Sequence, residues 1–266
     1  MKKVMALLLA MLFLIMCSAC SKQEDSSKSA DSGTAEPVVT AKASKYASVT
    51  IGDTITFGSY EQNNNLDNGP EPIEWMVLDI QDGKAFLLSR YGLDTKPYNT
   101  VDTDITWEAC SLRRWMNSDF IDAAFSKDEQ SAILITEVDN SDAQGCSRYI
   151  IYGGNNTQDK TFLLSFSEAN RYLGVKHWTE DDENNKKSRV APTEYAIQAG
   201  ADAHSYDLTA DGEPAGAWWL RSPGELPNSA SDVFSLGRLG YGLVNLDGLV
   251  VRPALWLDLN AAESLK

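Results

Sequence analysis

The spacing of apolar residues changes character several times along the chain, and each change marks a different kind of element. In "YASVTIGDTITFGSY", Val49, Ile51, Ile55 and Phe57 alternate with polar positions, the two-residue period of a half-buried strand. "IEWMVLDIQDGKAFLLSR" reads as a hairpin. Two β-rich runs flank Asp82-Gly83, a dipeptide suited to a two-residue turn in which both positions take positive φ. Helical spacing follows, with Leu112, Trp115, Met116 and Phe120 recurring after Trp107, and Ser126 and Glu129 forming a capping box ahead of an amphipathic run. A second box, Ser165 and Glu168, comes after the strand "KTFLLS" and opens "FSEANRYLG", where Gly174 is the stop signal. "TEYAIQAG" predicts a third short helix, closed by Gly200. From Ala217 onward the pattern reverts to strands, "AWWLRS", "DVFSL", "GLVNL" and "LVVRPALWLDL", separated by Gly, Asp and Asn. Strands, then helices, then strands with long polar connections predict an α+β domain with several short helices rather than alternating βαβ units. "FLLS" occurs at Phe86 and again at Phe162, but the flanks differ and no repeat array follows.

The N-terminal stretch has a different logic. Lys2 and Lys3 precede the apolar run of residues 4–16, and "CSACS" follows, the order of a secretory signal too short to span a bilayer comfortably. Ser18 and Ala19 ahead of Cys20 resemble a bacterial lipobox, which implies that residues 1–19 are removed and that Cys20 is acylated as the new N-terminus. The expected location is therefore a membrane surface facing out of the cytoplasm, with the protein held by lipid. The rest of residues 20–45 has no aromatic side chain and little to bury, and reads as a flexible tether. Residues 46–266 remain as a single domain large enough for a substantial core.

Charge narrows the partners. The chain carries a formal charge of -15. Its first 45 residues hold six Lys against four acids, which leaves -17 on the domain. A domain this acidic repels phosphate backbones, so nucleic acid is not an expected partner.

The segments "TWEACSLRRWMNSDFIDAAFS", "DKTFLLSFSEANRYL", "TEYA", "WWLRSPG" and "VRPALWLDL", in that order, resemble a family of bacterial exported proteins and lipoproteins with a domain of unknown function. The closing strands, tryptophan-rich and ending on Arg-Pro-Ala, are similar to the C-type-lectin-like fold of formylglycine-generating enzymes and of some diversity-generating surface receptors. That similarity implies a mixed sheet whose first and last strands pair, here the segments near Ile51 to Phe57 and Val250 to Leu257, with a loop-rich face open for binding. The chemistry of formylglycine-generating enzymes rests on cysteines in the C-terminal part. No cysteine follows Cys146 in this chain.

Candidate chemistry gathers around "GAWWLRSPG". Along a strand Trp218, Leu220 and Ser222 face one way, and Trp219 and Arg221 the other. Two readings are open for Trp219 and Arg221. They form a platform for a sugar ring or a carboxylate, with Asn228 and Asp232 on the neighbouring loops completing a ligand site, or they are buried by a second layer. Arg252, which with Pro253 interrupts an apolar strand, reads as an internal arginine pinning a loop or as part of the same site. His177 and His204 stand apart with no metal-ligand spacing nearby, and no nucleophile elbow or phosphate loop is present. "DLTADGE" offers oxygen donors and a Gly turn that suggest calcium, but its spacing departs from an EF-hand. Cys110 and Cys146 either form a disulfide, which export permits, or remain small buried thiols. The expectation is a non-enzymatic recognition module for a glycan, a cell-wall fragment or a protein. The alternative is a carbohydrate-active or other hydrolytic enzyme using acids such as Asp232 or Asp247.

Overall fold

The computed structural model describes residues 45–177 and 185–265. The expected leader, Cys20 and most of the expected tether lie outside those residues, as does most of the acidic run "TEDDENN". Thr54–Tyr60 (β1) and Glu71–Gln81 (β2) pair antiparallel, and Lys84–Ser89 (β3) returns from β2 through Asp82 and Gly83. Both turn residues have positive φ, 49° and 74°, as their sequence requires. Asp94–Thr95 (β4) is followed by Ser111–Trp115 (α1), which continues through a π-helical turn at Met116–Phe120 into Ile121–Ala124 (α2) and then Lys127–Ala132 (α3). Thr136–Val138 (β5) and Thr157–Asp159 (β6) precede Phe166–Leu173 (α4) and Glu194–Gln198 (α5). The remainder comprises His204–Leu208 (β7), Pro214–Ala215 (β8), Trp218–Pro223 (β9), Ser229–Val233 (β10), Leu239–Leu243 (β11), Val250–Val251 (β12), Ala254–Asp258 (β13) and Leu259–Glu263 (α6). Both capping boxes form, and Gly174 closes α4 in the left-handed conformation.

The architecture is mixed α+β, with thirteen strands among the described residues. A four-stranded sheet has the order β1-β2-β3-β13, a five-stranded sheet has the order β11-β10-β9-β12-β4, and β5-β6 and β7-β8 are two-stranded ribbons. The expected pairing of the first and last strands does not form. β1 and β13 lie at opposite edges of one sheet, and β13 pairs with β3 instead. Burial explains the choice. β3 is buried at five of its six positions and needs a partner on both sides, whereas the second half of β1 is only partly covered, as suits an edge. The outer side of β13 is closed by single bridges to Ile133 and Phe162.

Two crossings of the chain between the large sheets run side by side. β3 leads to β4 through residues 90–93, and β12 leads to β13 through Arg252-Pro253. They are laced by Ser89 N–H donating to Pro253 O and Leu93 N–H donating to Val251 O. Gly92 permits this approach, since a Cβ there would come within 2.5 Å of the Val250 side chain. One core cluster joins the four-stranded sheet to α2, α3 and α6 through Trp75, Leu87, Phe120, Phe125 and Leu257. The other surrounds the five-stranded sheet and contains Trp107, Leu164, Trp218 and Trp219. Among the described residues no helix is long and apolar enough to cross a membrane.

Candidate functional site in the crossover pocket

The residues singled out from the sequence come first. Trp219 is fully buried, its Nε1 donating to Lys96 O at 3.0 Å and its ring edge-on to Tyr98. Arg221, 3% exposed, donates to both carboxylate oxygens of Glu168, to Leu163 O at 2.8 Å, to Asp139 O at 3.0 Å and to Asn140 Oδ1 at 3.2 Å. Glu168 also accepts from the Ser165 N–H in its capping box, so Arg221 fastens β9 to the start of α4. The open face considered for Trp219 and Arg221 is thus closed: β9 lies between β10 and β12 and is covered on both sides, so neither side chain is presented to solvent.

Asp232 does come together with Trp219. The two face each other across the β9–β10 ladder, and a Cβ on Gly242 would meet both, Trp219 at 3.3 Å and Asp232 Oδ2 at 3.5 Å. Asp232 is 2% exposed, its Oδ1 has no hydrogen-bond partner, and burial pushes its carboxyl up to about 8. Asn228 is half-buried and donates to Asp102 at 2.9 Å. Asp247 stands on an exposed turn.

Cys110 and Cys146 are free and buried, so the disulfide considered from the sequence is not formed. Burial raises the Cys110 thiol to about 12, far from a reactive thiolate. The "DLTADGE" segment forms the turn between β7 and β8. There Asp207 accepts from Ser235 Oγ at 2.6 Å and Asp211 pairs with Arg90 at 3.1 Å. Among the described residues no group of three or more His, Cys, Asp and Glu side chains is arranged to hold a metal ion.

A different residue of the sequence reading stands at a pocket. The two crossings, with β1, β2, the β7–β8 turn and residues 186–191, enclose a pocket of about 420 Å³, and Arg252 is part of its lining. Small-ligand sites fall in this size range. Arg252 is 1% exposed and is held in place by its Nε donating to Ser89 O at 3.0 Å and by Nη2 at 3.4 Å from Met76 Sδ. Its guanidinium lies over the Trp218 ring, 5.0 Å from the centroid, and Trp218 Nε1 is itself fixed to Ser188 O at 3.0 Å. The guanidinium makes no ion pair among the described residues, and Nη1 has no hydrogen-bond partner. Burial without a counterion pulls its pKa down to about 9, which still leaves it charged at neutral pH.

The walls add the rest of the chemistry. Arg90 is held by Glu74 at 2.7 Å and by Asp211, and its guanidinium covers the Tyr91 ring at 5.3 Å. Lys186 and Lys187 are exposed at the rim and make no ion pair among the described residues. Val190 and Ala191 supply an apolar wall. Their backbone is pinned by Gly216 N–H donating to Val190 O at 2.9 Å and Gly92 N–H donating to Ala191 O at 3.0 Å. Glu213 lines the same pocket, half-buried, with its carboxylate in no hydrogen bond or ion pair among the described residues.

Arg252 was visible in the sequence as an arginine breaking an apolar strand before Pro253. Its pocket partners were not, because residues 90–91, 186–191 and 209–213 are distant in the chain and share no local pattern. No curated protein matches the chain, and no solved structure does. Residues 82–259, which include Arg252 and Glu213 but neither β1 nor β2, match the family described as a domain of unknown function, DUF6273. That span is more than half of the chain, and the protein belongs to the DUF6273 family.

Proposed function

We propose that this protein is a recognition module tethered to a membrane through Cys20 and facing out of the cytoplasm, and that it captures a small anionic ligand in the crossover pocket. The observation that carries this reading is Arg252: a buried guanidinium without a counterion and with one nitrogen unpartnered, in the lining of a pocket large enough for a ligand. An unpaired buried charge destabilises a fold by several kcal/mol, and an apolar residue of similar volume avoids that cost. A cation kept under those conditions is suited to an anion that arrives from outside. Lys186 and Lys187 at the rim favour the same charge locally, although the domain as a whole is acidic. Non-enzymatic capture accords with the inert Cys110 and with the burial of Asp232 among core residues, away from the pocket lining.

Thermal unfolding in the presence of small probes tests the proposal. N-acetylalanine and glucuronate should raise the midpoint in a saturable way, because a ligand at about 100 times its Kd adds roughly 2.7 kcal/mol to the folded state. N-acetylalanine amide and glucose, which lack the carboxylate, should not. Equal shifts from charged and uncharged probes would remove the anion from the account.

A further inference from the structure

We infer that the ligand of the crossover pocket is a zwitterion of amino-acid or dipeptide size, its carboxylate on Arg252 and its ammonium on Glu213. The inference rests on the anion-capture reading above and names the ligand class for the same site. Arg252 and Glu213 line one pocket, and each is unsatisfied in a complementary way. The guanidinium has an unpartnered nitrogen and no counterion, and the carboxylate has no donor among the described residues. They do not neutralise each other, since no ion pair joins them. The other acid of the wall, Asp211, is already engaged by Arg90, which leaves Glu213 as the free acceptor.

Further features fit this ligand class. Glu213 is held in a tight turn, with Thr209 N–H donating to Glu213 O at 2.9 Å and Glu213 N–H donating to Thr209 Oγ1 at 3.1 Å. Its carboxylate is near enough to Tyr91 to help raise that phenol's pKa after burial, so the acid and the aromatic wall share one neighbourhood. The same pocket is lined by Tyr91, Met76, Val190 and Ala191, which offer apolar surface for a side chain. A zwitterion also carries no net charge, so a domain of -17 does not repel it at long range, whereas it repels a free anion.

Calorimetric titration of the full chain with three forms of one probe tests the inference. Alanyl-alanine carries both charges, N-acetyl-alanyl-alanine only the carboxylate, and alanyl-alanine amide only the ammonium. Alanyl-alanine is expected to bind at least tenfold more tightly than either derivative. Glu213→Gln should erase its advantage over the acetylated form while leaving the affinity of the acetylated form unchanged. Acetylated probe binding as tightly as the zwitterion, or a Glu213→Gln variant that keeps the preference, overturns the zwitterion and leaves anion capture standing. Tighter binding of the amide, or no binding of either carboxylate probe, overturns both. Glu213 is half-buried in a surface turn, so the substitution tests the ligand contact and not the core.

Discussion

Asp232 and the paired tryptophans show how burial decides what a side chain does. The folded protein holds the Asp232 carboxyl near 8, against an ordinary value of 3.8. Its neutral form is therefore favoured by folding, and that stabilisation is fully present below the unfolded value and is lost as pH rises through the folded one. Between pH 5 and pH 8 the wild type should lose up to about 1.4 kcal/mol of stability per pH unit from this group. Asp232→Asn should remove that slope, matching the wild type near pH 3.8 and increasingly exceeding it as pH rises toward 8. Denaturant unfolding at several pH values checks this, and parallel slopes in the two proteins would contradict it. Trp218 and Trp219 are both fully buried, and Trp218→Ala and Trp219→Ala should each cost about 3 to 5 kcal/mol in the same measurement. The alternation of "WWLRS" correctly set the two rings on opposite faces. Whether the second face was covered depended on Tyr98 and Lys96, far away in sequence, and strand periodicity carries no information about them.

At the scale of elements, the helix starts and the hairpin turn were legible because their causes are local. Ser126 with Glu129, Ser165 with Glu168, and Asp82 with Gly83 contain within a few residues the groups that complete the geometry. Strand partners were not legible, since β13 has enough apolar residues to pair on either side of the sheet. The near-complete burial of β3 suits its place inside the sheet, between β2 and β13. Arg221 joins β9 to α4 through Glu168, which also caps that helix. Glu168→Ala should therefore remove a cap and leave a buried guanidinium without its counterion, a loss of about 3 to 5 kcal/mol. A loss below about 1 kcal/mol in denaturant unfolding would show that the backbone carbonyls around Arg221 suffice.

The whole molecule places a locally basic pocket on an acidic domain, at the seam where the chain crosses twice between its two large sheets. The tether proposal makes its own prediction. Cys20→Ala should release the protein to the medium or leave an unprocessed precursor, and fractionation that finds a processed form still on the membrane would contradict it. Composition and charge pointed to the acidic domain, but the pocket appears only once the fold has joined its walls. Because Arg252 is pulled down to about 9, carboxylate binding should hold steady from pH 6 to 8 and weaken above 9. The most direct test of anion capture is calorimetric titration of N-acetylalanine into the wild type and into Arg252→Met, with thermal unfolding of both. The variant should lose at least tenfold in affinity while unfolding within a few degrees of the wild type, because an unpaired buried charge is replaced by an apolar chain. Undiminished binding to a folded Arg252→Met protein would contradict the account.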